Sequence, residues 1–280
     1  MLKDILKENY KLLIIAYFLF LVESLLMITY PLVLGKTIDH FIEKNFINGI
    51  YLFLVLGGFM LSSYLRRKYD TRIFSTIYRK LILRYINREI SKDKSSISKI
   101  TARTTMFNSI VSFFEIDIPY IFHAIFSIVG SIVIIMLSYD LYIGLLTLFT
   151  LVPIYFVSKY YSGKLSVKYK ESNDLNEKDV DVIGSMDRKD IRHHYILKNL
   201  LSIKISNLDA GNNLLNDFIN YSLIVIGLLV FTLLGEPTIG MIMGLYQYLL
   251  KFINSALMVP NLILRSLYLK DVLKRIEENE

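Results

Sequence analysis

The sequence predicts an all-α integral membrane protein of six transmembrane helices, several of which continue into long cytoplasmic helical extensions. Three observations carry this. Two apolar runs, Ile118–Leu137 and Leu141–Val157, are separated only by Ser138, Tyr139 and Asp140. Roughly twenty apolar residues at ~1.5 Å rise cross a hydrocarbon core of ~30 Å, so the pair reads as a transmembrane hairpin. Composition agrees: 54% of residues are apolar and the mean hydropathy is +0.45, high for a soluble domain. The third observation is a charge asymmetry. The first outer turn holds Lys36 and Lys44 and the other two hold no basic residue, while nearly all the rest of the 32 Lys and Arg lie in the tails and two long arms. Basic residues near helix ends mark the cytoplasmic side, so both termini and both arms are expected there, in the plasma (inner) membrane.

The elements follow in order. Span one covers 12–34, preceded by Lys3, Lys7 and Lys11, and is too long for a signal-peptide core. A polar turn is expected over Gly35–Phe46. Span two covers 47–64, with Gly57 and Gly58 placed for close approach of a neighbour. From Tyr69 the apolar residues Ile73, Phe74, Ile77, Tyr78, Leu81, Ile82, Tyr85 and Ile86 recur at helical spacing, opposite Arg and Lys. This continues the span into water as an amphipathic arm, 65–117. Ser91–Lys99 interrupts the pattern, and a second helix from about Thr101 returns to Pro119. After the hairpin (spans 118–137 and 141–157) comes a second arm, 158–213, broken at Gly184–Asp187, with Asp187 as N-cap for Arg188–Ile205. Span five covers 214–234, although Asn216, Asp217 and Asn220 lie in its first turns. A tight turn, Gly235-Glu236-Pro237-Thr238, leads to span six, 240–264, and a charged tail.

Several classes of function are excluded or weakened. Cysteine is absent, so no disulfide, thiolate nucleophile or Cys-ligated metal enters. The four histidines lack metal-ligand spacing. The net charge of +7 brackets apolar runs, which membrane topology explains better than nucleic-acid binding. No cofactor is expected to bind this chain.

Local residues then point to a family. Tyr30-Pro31-Leu32-Val33-Leu34-Gly35-Lys36-Thr37-Ile38-Asp39 resembles the first-span exit of ABC exporters: a Pro, then a Gly, then Ile-Asp. Ser98–Arg103 leading into Phe113-Phe114-Glu115-Ile116-Asp117-Ile118-Pro119 is similar to their approach to span three. Thr238-Ile239-Gly240, Tyr246–Tyr248 and Leu273-Lys274-Arg275-Ile276-Glu277 resemble the sixth span and its exit. Asp190–Ala210 looks most like stand-alone six-span ABC domains. The resemblance covers nearly the whole chain by spacing and order, and it implies the ABC exporter transmembrane-domain fold over 1–280. It also implies a dimer, with itself or a similar subunit, in which spans four and five reach across. A separately encoded nucleotide-binding ATPase would then dock at the arm tips, at Ser91, Lys94 and Ser96 and at Arg188, Asp190, His193 and His194.

In fused exporters the chain continues after an Arg-Ile-Glu exit into a nucleotide-binding domain, whereas this sequence stops at Glu280. The one near match to a phosphate-cradling loop, Gly35-Lys36-Thr37, has Tyr30 in place of the required earlier Gly and sits at the end of a membrane helix. The polypeptide alone is not expected to be an enzyme, and ATP would act through the partner.

Candidate pathway residues are few. Glu23 lies near the bilayer midplane, and Lys251 lies at similar depth on a stripe with Gln247, Asn254 and Ser255. Intramembrane charges face protein or a water-filled cavity. These residues either wall a polar cavity that contacts substrate, or Glu23 and Lys251 pair to hold two helices, or both. His123 reads more often as a polar contact than as a relay. Glu115 and Asp117 start span three, with a gating role as the sharper reading. Arg66, Arg67 and the other arm basics read as topology determinants and headgroup contacts. Two classes of function stay open: a transport subunit, or a membrane interaction protein that keeps the fold without ATP coupling. Lipids, drugs and peptides all suit an apolar cavity with one or two charges.

Overall fold

The computed structural model describes residues 8–90, 107, 108 and 110–277, and among them every regular element is helical. We number the helices α1 (Tyr10–Ile42), α2 (Ile47–Ile90), α3 (Ile118–Ser138), α4 (Leu141–Glu177), α5 (Asp179–Gly184), α6 (Arg188–Leu234) and α7 (Ile239–Glu277). Six helices among the described residues are long and apolar enough to cross a membrane. Several far exceed that need. At ~1.5 Å per residue the 44 residues of α2 reach about 66 Å, twice a ~30 Å core. The chain divides into two compact units, Met1–Leu141 with Phe231–Glu280, and Tyr142–Val230.

In the first unit α1 packs against α2, α3 and α7, and α3 packs against α7. The inward stripe of α1 repeats at four- and seven-residue spacing, through Ala16, Phe20, Ser24, Pro31 and Gly35. Helix α7 supplies the most enclosed surface: Leu245, Tyr248, Leu249 and Phe252 are fully buried. Below the spans, Ala16 packs with Ile73, Phe74, Ile77, Leu81 and Val111 in one apolar cluster, which is the arm stripe expected from sequence. The one change is at its start: Tyr69 is exposed and Asp70 is buried in its place. Arg84 pairs with Glu8 at 2.8 Å and Lys80 donates to Asn9 Oδ1 at 3.0 Å, fastening the start of α1 to the arm.

At the turn end, the helix continues through the expected turn Gly35–Phe46 as far as Ile42. The reason is that residues 35–39 are structural. Gly35 and Thr37 are buried, Thr37 Oγ1 bonds Val33 O and Asn48 O, and the Asp39 carboxylate accepts from Thr238 Oγ1 (2.6 Å) and the Gly240 N–H (2.7 Å). Asp39 thus caps α7, and the two segments quoted above for the first-span exit and the sixth-span start meet there. A Cβ on Gly240 would drive into the Gly35 carbonyl oxygen, so the α1–α7 crossing requires glycine. Gly57 does not serve as a crossing point: a Cβ there would meet nothing within 4 Å, and at Gly58 it would touch only the Leu26 side chain, 3.3 Å away. Hairpin residue Tyr139 is edge-on to Phe231 and to Tyr248, each at 5.9 Å, which anchors the α3–α4 turn.

The second unit contains α4, α5 and α6 up to Val230. Asp187 caps α6 as expected, accepting the Lys189 N–H at 2.8 Å, after Met186 takes the left-handed conformation at φ 55°. Helix α6 then runs without interruption for 47 residues, where two segments were expected. Asn216 donates to Asn212 at 3.0 Å, and Asn220 is fully buried with neither side-chain polar atom hydrogen-bonded among the described residues, so the polar first turns of span five face protein.

Candidate functional site

Arg66 lies on the inward face of α2, and Asp70 follows one turn later. Its Nε donates to Glu23 Oε2 of α1 at 2.5 Å and its Nη1 donates to Asp70 Oδ2 at 2.9 Å. All three side chains are largely buried. The planar guanidinium presents donors in a fixed fork, so one arginine can hold two carboxylates in different directions, which a lysine could not do with the same geometry. The Phe20 ring lies 5.8 Å from the guanidinium carbon and closes one side. Glu23 is therefore paired within the first unit, and its partner is Arg66.

A second wall comes from the approach to α3. Pro119 has no N–H to give the Glu115 carbonyl, and the ladder shifts register: the Ile118 N–H bonds Phe113 O, five residues back, and Phe113–Asp117 forms a π-helical turn. The wider turn changes the angular position of every side chain it contains, Glu115 included. A cleft of about 490 Å³ results, lined by Glu23, Ser24, Arg66, Asp70, Glu115 and His123 among others. Ser24 is buried, and its hydroxyl, like those of Ser127, Ser131 and Ser158, has no hydrogen-bond partner among the described residues. Thr29, Thr37, Thr147 and Thr150 instead donate to the carbonyl four residues back.

The other predicted cavity residues lie elsewhere. Lys251 does not pair with Glu23. Its Nζ donates to the Met27 carbonyl, which is the group that Pro31 leaves without its i+4 N–H. Tyr248 supports the same segment by donating to Ile28 O at 2.7 Å. Helix α1 keeps a proline inside a span because α7 supplies the missing donor. Gln247 is half-buried and Asn254 exposed, and neither lines the charged cleft. Helix rotation, which residue counting does not fix, aims Lys251 at backbone.

At the far end of the second unit, Arg188, Asp190 and His193 are exposed on the first turns of α6, as docking residues would be. His194 is buried instead. Its Nε2 lies 2.7 Å from Asp179 Oδ1, and Lys198 Nζ lies 2.7 Å from Asp179 Oδ2. Hydrogen bonds from Lys198 and then from His194 hold the Asp179 carboxyl below its ordinary value of 3.8. His194 therefore ties α5 to α6. Ser91, Lys94 and Ser96 lie outside the described residues.

Sequence reasoning missed Arg66, Asp70 and Ser24 as site residues. A signal was present: Asp70 stands three and four residues before Ile73 and Phe74, on the same stripe, with Arg66 four residues before it. A carboxylate in line with a buried stripe needs a cation, and Arg66 is the residue in register.

Against known families, a model described as the ABC transporter transmembrane region matches residues 2–240, which takes in α1 to α6 and the beginning of α7. No curated protein sequence gives a significant match.

Proposed function

The chain belongs to the ABC transporter transmembrane region family, and from that premise we propose that two copies, or one copy and a similar subunit, form a substrate pathway driven by a separate ATPase. The observation that carries the transport reading is the Glu23–Arg66–Asp70 cleft. Charge is retained among membrane-spanning helices where it faces a pathway or a partner group, and this cleft is both polar and large enough for a ligand. The division of the chain supports exchange between subunits, since spans four and five make a compact unit of their own. Basic residues concentrated in the arms support a cytoplasmic location for them and for both termini, in the plasma membrane. The exposed Arg188, Asp190 and His193 then form part of the ATPase-docking tip, and hydrolysis belongs to the partner.

Affinity purification of the full chain from its native membranes tests this. A nucleotide-binding ATPase should co-purify, and replacing Arg188, Asp190 and His193 together by Ala should release it. Recovery of the chain without any ATPase, at native expression, would overturn ATP coupling and favour a membrane interaction protein.

A further inference from the structure

A groove of about 670 Å³ runs between α4 and α6 and lies wholly within the second unit. Tyr161, Lys164 and Lys168 line it from α4, and Lys204, Asn207 and Leu208 from α6. Three lysines thus share one space, and two of them stand one turn apart on α4, an arrangement of like charges that weakens a helix. Glu171 relieves Lys168 at 2.7 Å. Lys164 and exposed Lys204 have no carboxylate partner among the described residues, and the Lys164 Nζ donates to the Tyr160 hydroxyl at 2.5 Å. Glycines shape the groove. Gly211 lets Tyr161 lie against α6, where a Cβ would come 3.0 Å from its hydroxyl oxygen, and a Cβ on Gly163 would meet nothing within 4 Å.

The donors specify the anion. Every charged side chain in the lining is a lysine, and Tyr161 and Asn207 add neutral donors. Ammonium groups reaching in from two helices suit a tetrahedral phosphate, whose oxygens accept from several directions. A planar carboxylate is better matched by the fork of an arginine, and the lining contains none. Depth specifies where the phosphate comes from. Span four is expected to end at Val157 and span five to begin at 214, so the lining lies between about 6 and 16 Å beyond the hydrocarbon at ~1.5 Å per residue. The headgroup layer is about 5–8 Å thick on each side, so the groove opens from it. The side chains mark the same boundary: Lys159 lies 5.6 Å from the Tyr155 ring and Lys164 4.1 Å from the Tyr160 ring, each lysine turned one helical turn back towards the span.

We propose that the α4–α6 groove is a phosphate-binding site that holds the head of an anionic lipid from the membrane face where the arms emerge. Lys164 and Lys204 bind the phosphate from the two helices, with Tyr161 and Asn207 as neutral donors, and the tail stays in the bilayer. The lipid is a bound component that ties α4 to α6 at the root of the arm. It is not cargo, and the site stands whether or not the chain transports anything.

The test uses the purified full chain in non-ionic detergent and two tail-labelled probes of equal chain length, lysophosphatidic acid and a fatty-acid carboxylate. The phosphate probe should bind on the order of tenfold more tightly, the factor expected of one added charge-assisted contact. Lys164→Gln and Lys204→Gln should each remove on the order of tenfold of that affinity. Lys170→Gln is the control: it removes the same charge from an exposed position at similar depth that does not line the groove, and it should bind as the wild type does. Equal binding of the two probes, or an equal loss in Lys170→Gln, would overturn the site and leave only a general attraction of basic arms for anions. Soluble glycerol 3-phosphate, at the concentration of the lipid probe, should not displace it, because the micelle holds the lipid beside the groove at high local concentration. Displacement at that concentration would overturn the lipid assignment and make the ligand a soluble phosphate ester.

Discussion

One arginine serves two carboxylates, and this asymmetry sets the mutational response. Arg66→Met strands both Glu23 and Asp70, whereas Glu23→Gln leaves Arg66 with Asp70. Breaking a buried pair typically costs ~3–5 kcal/mol, so the arginine variant should lose that much in thermal unfolding in detergent and the glutamine variant clearly less. Equal losses would mean that Asp70 contributes nothing. Lys251 offers a second residue-scale test. With Pro31 present, Lys251→Met leaves the Met27 carbonyl unsatisfied, a penalty of ~1–3 kcal/mol. Pro31→Ala restores the backbone N–H, so the same lysine substitution should be milder in that background; an unchanged penalty would show that Lys251 acts through its charge alone. Sequence counting at a fixed rise gave Glu23 and Lys251 similar expected depths. It did not place their partners, because those depend on helix rotation and on a register shift at Pro119 that no single-helix pattern encodes.

At the scale of elements, the crossing of α1 and α7 and the tie between α5 and α6 give opposite kinds of prediction. Gly240→Ala must push two helices apart, and overpacking of this kind costs ~1–3 kcal/mol. Gly57→Ala meets open space and should stabilise α2 by ~0.5–1 kcal/mol through helix propensity. Thermal midpoints of the two variants should therefore move in opposite directions. The α5–α6 tie is sensitive to pH. Asp179 has its pKa lowered on folding, so its contribution is fully present above the ordinary value of 3.8 and is lost as pH falls through the lower folded value. Relative to the intrinsic exchange rate at each pH, amides in 179–184 should be protected at neutral pH and lose that protection in the acid window, and Asp179→Asn should remove the dependence. The spans, the hairpin turn 139–140 and the Asp187 cap were legible because each rests on local chemistry. The continuation of α1 to Ile42 was not, since Gly35, Thr37 and Asp39 look like turn residues until α7 is packed against them.

For the whole molecule, the lack of native cysteine makes single-cysteine labelling clean. Glu236→Cys, in an exposed turn, should react with an impermeant maleimide from outside intact cells, and His193→Cys only after permeabilisation. Reaction of both from one side would sink the six-span topology. The length of α6 has a mechanical meaning. Its 47 residues, about 70 Å, contain no proline, whereas α4 carries Pro153 and α1 carries Pro31. Sharp bends in helices concentrate at proline and at similar defects, so α6 is the stiff lever of its unit and α4 the jointed one. Within that unit a load applied near Arg188 would be carried along α6 as along a single rod, and bending would concentrate at Pro153 of α4.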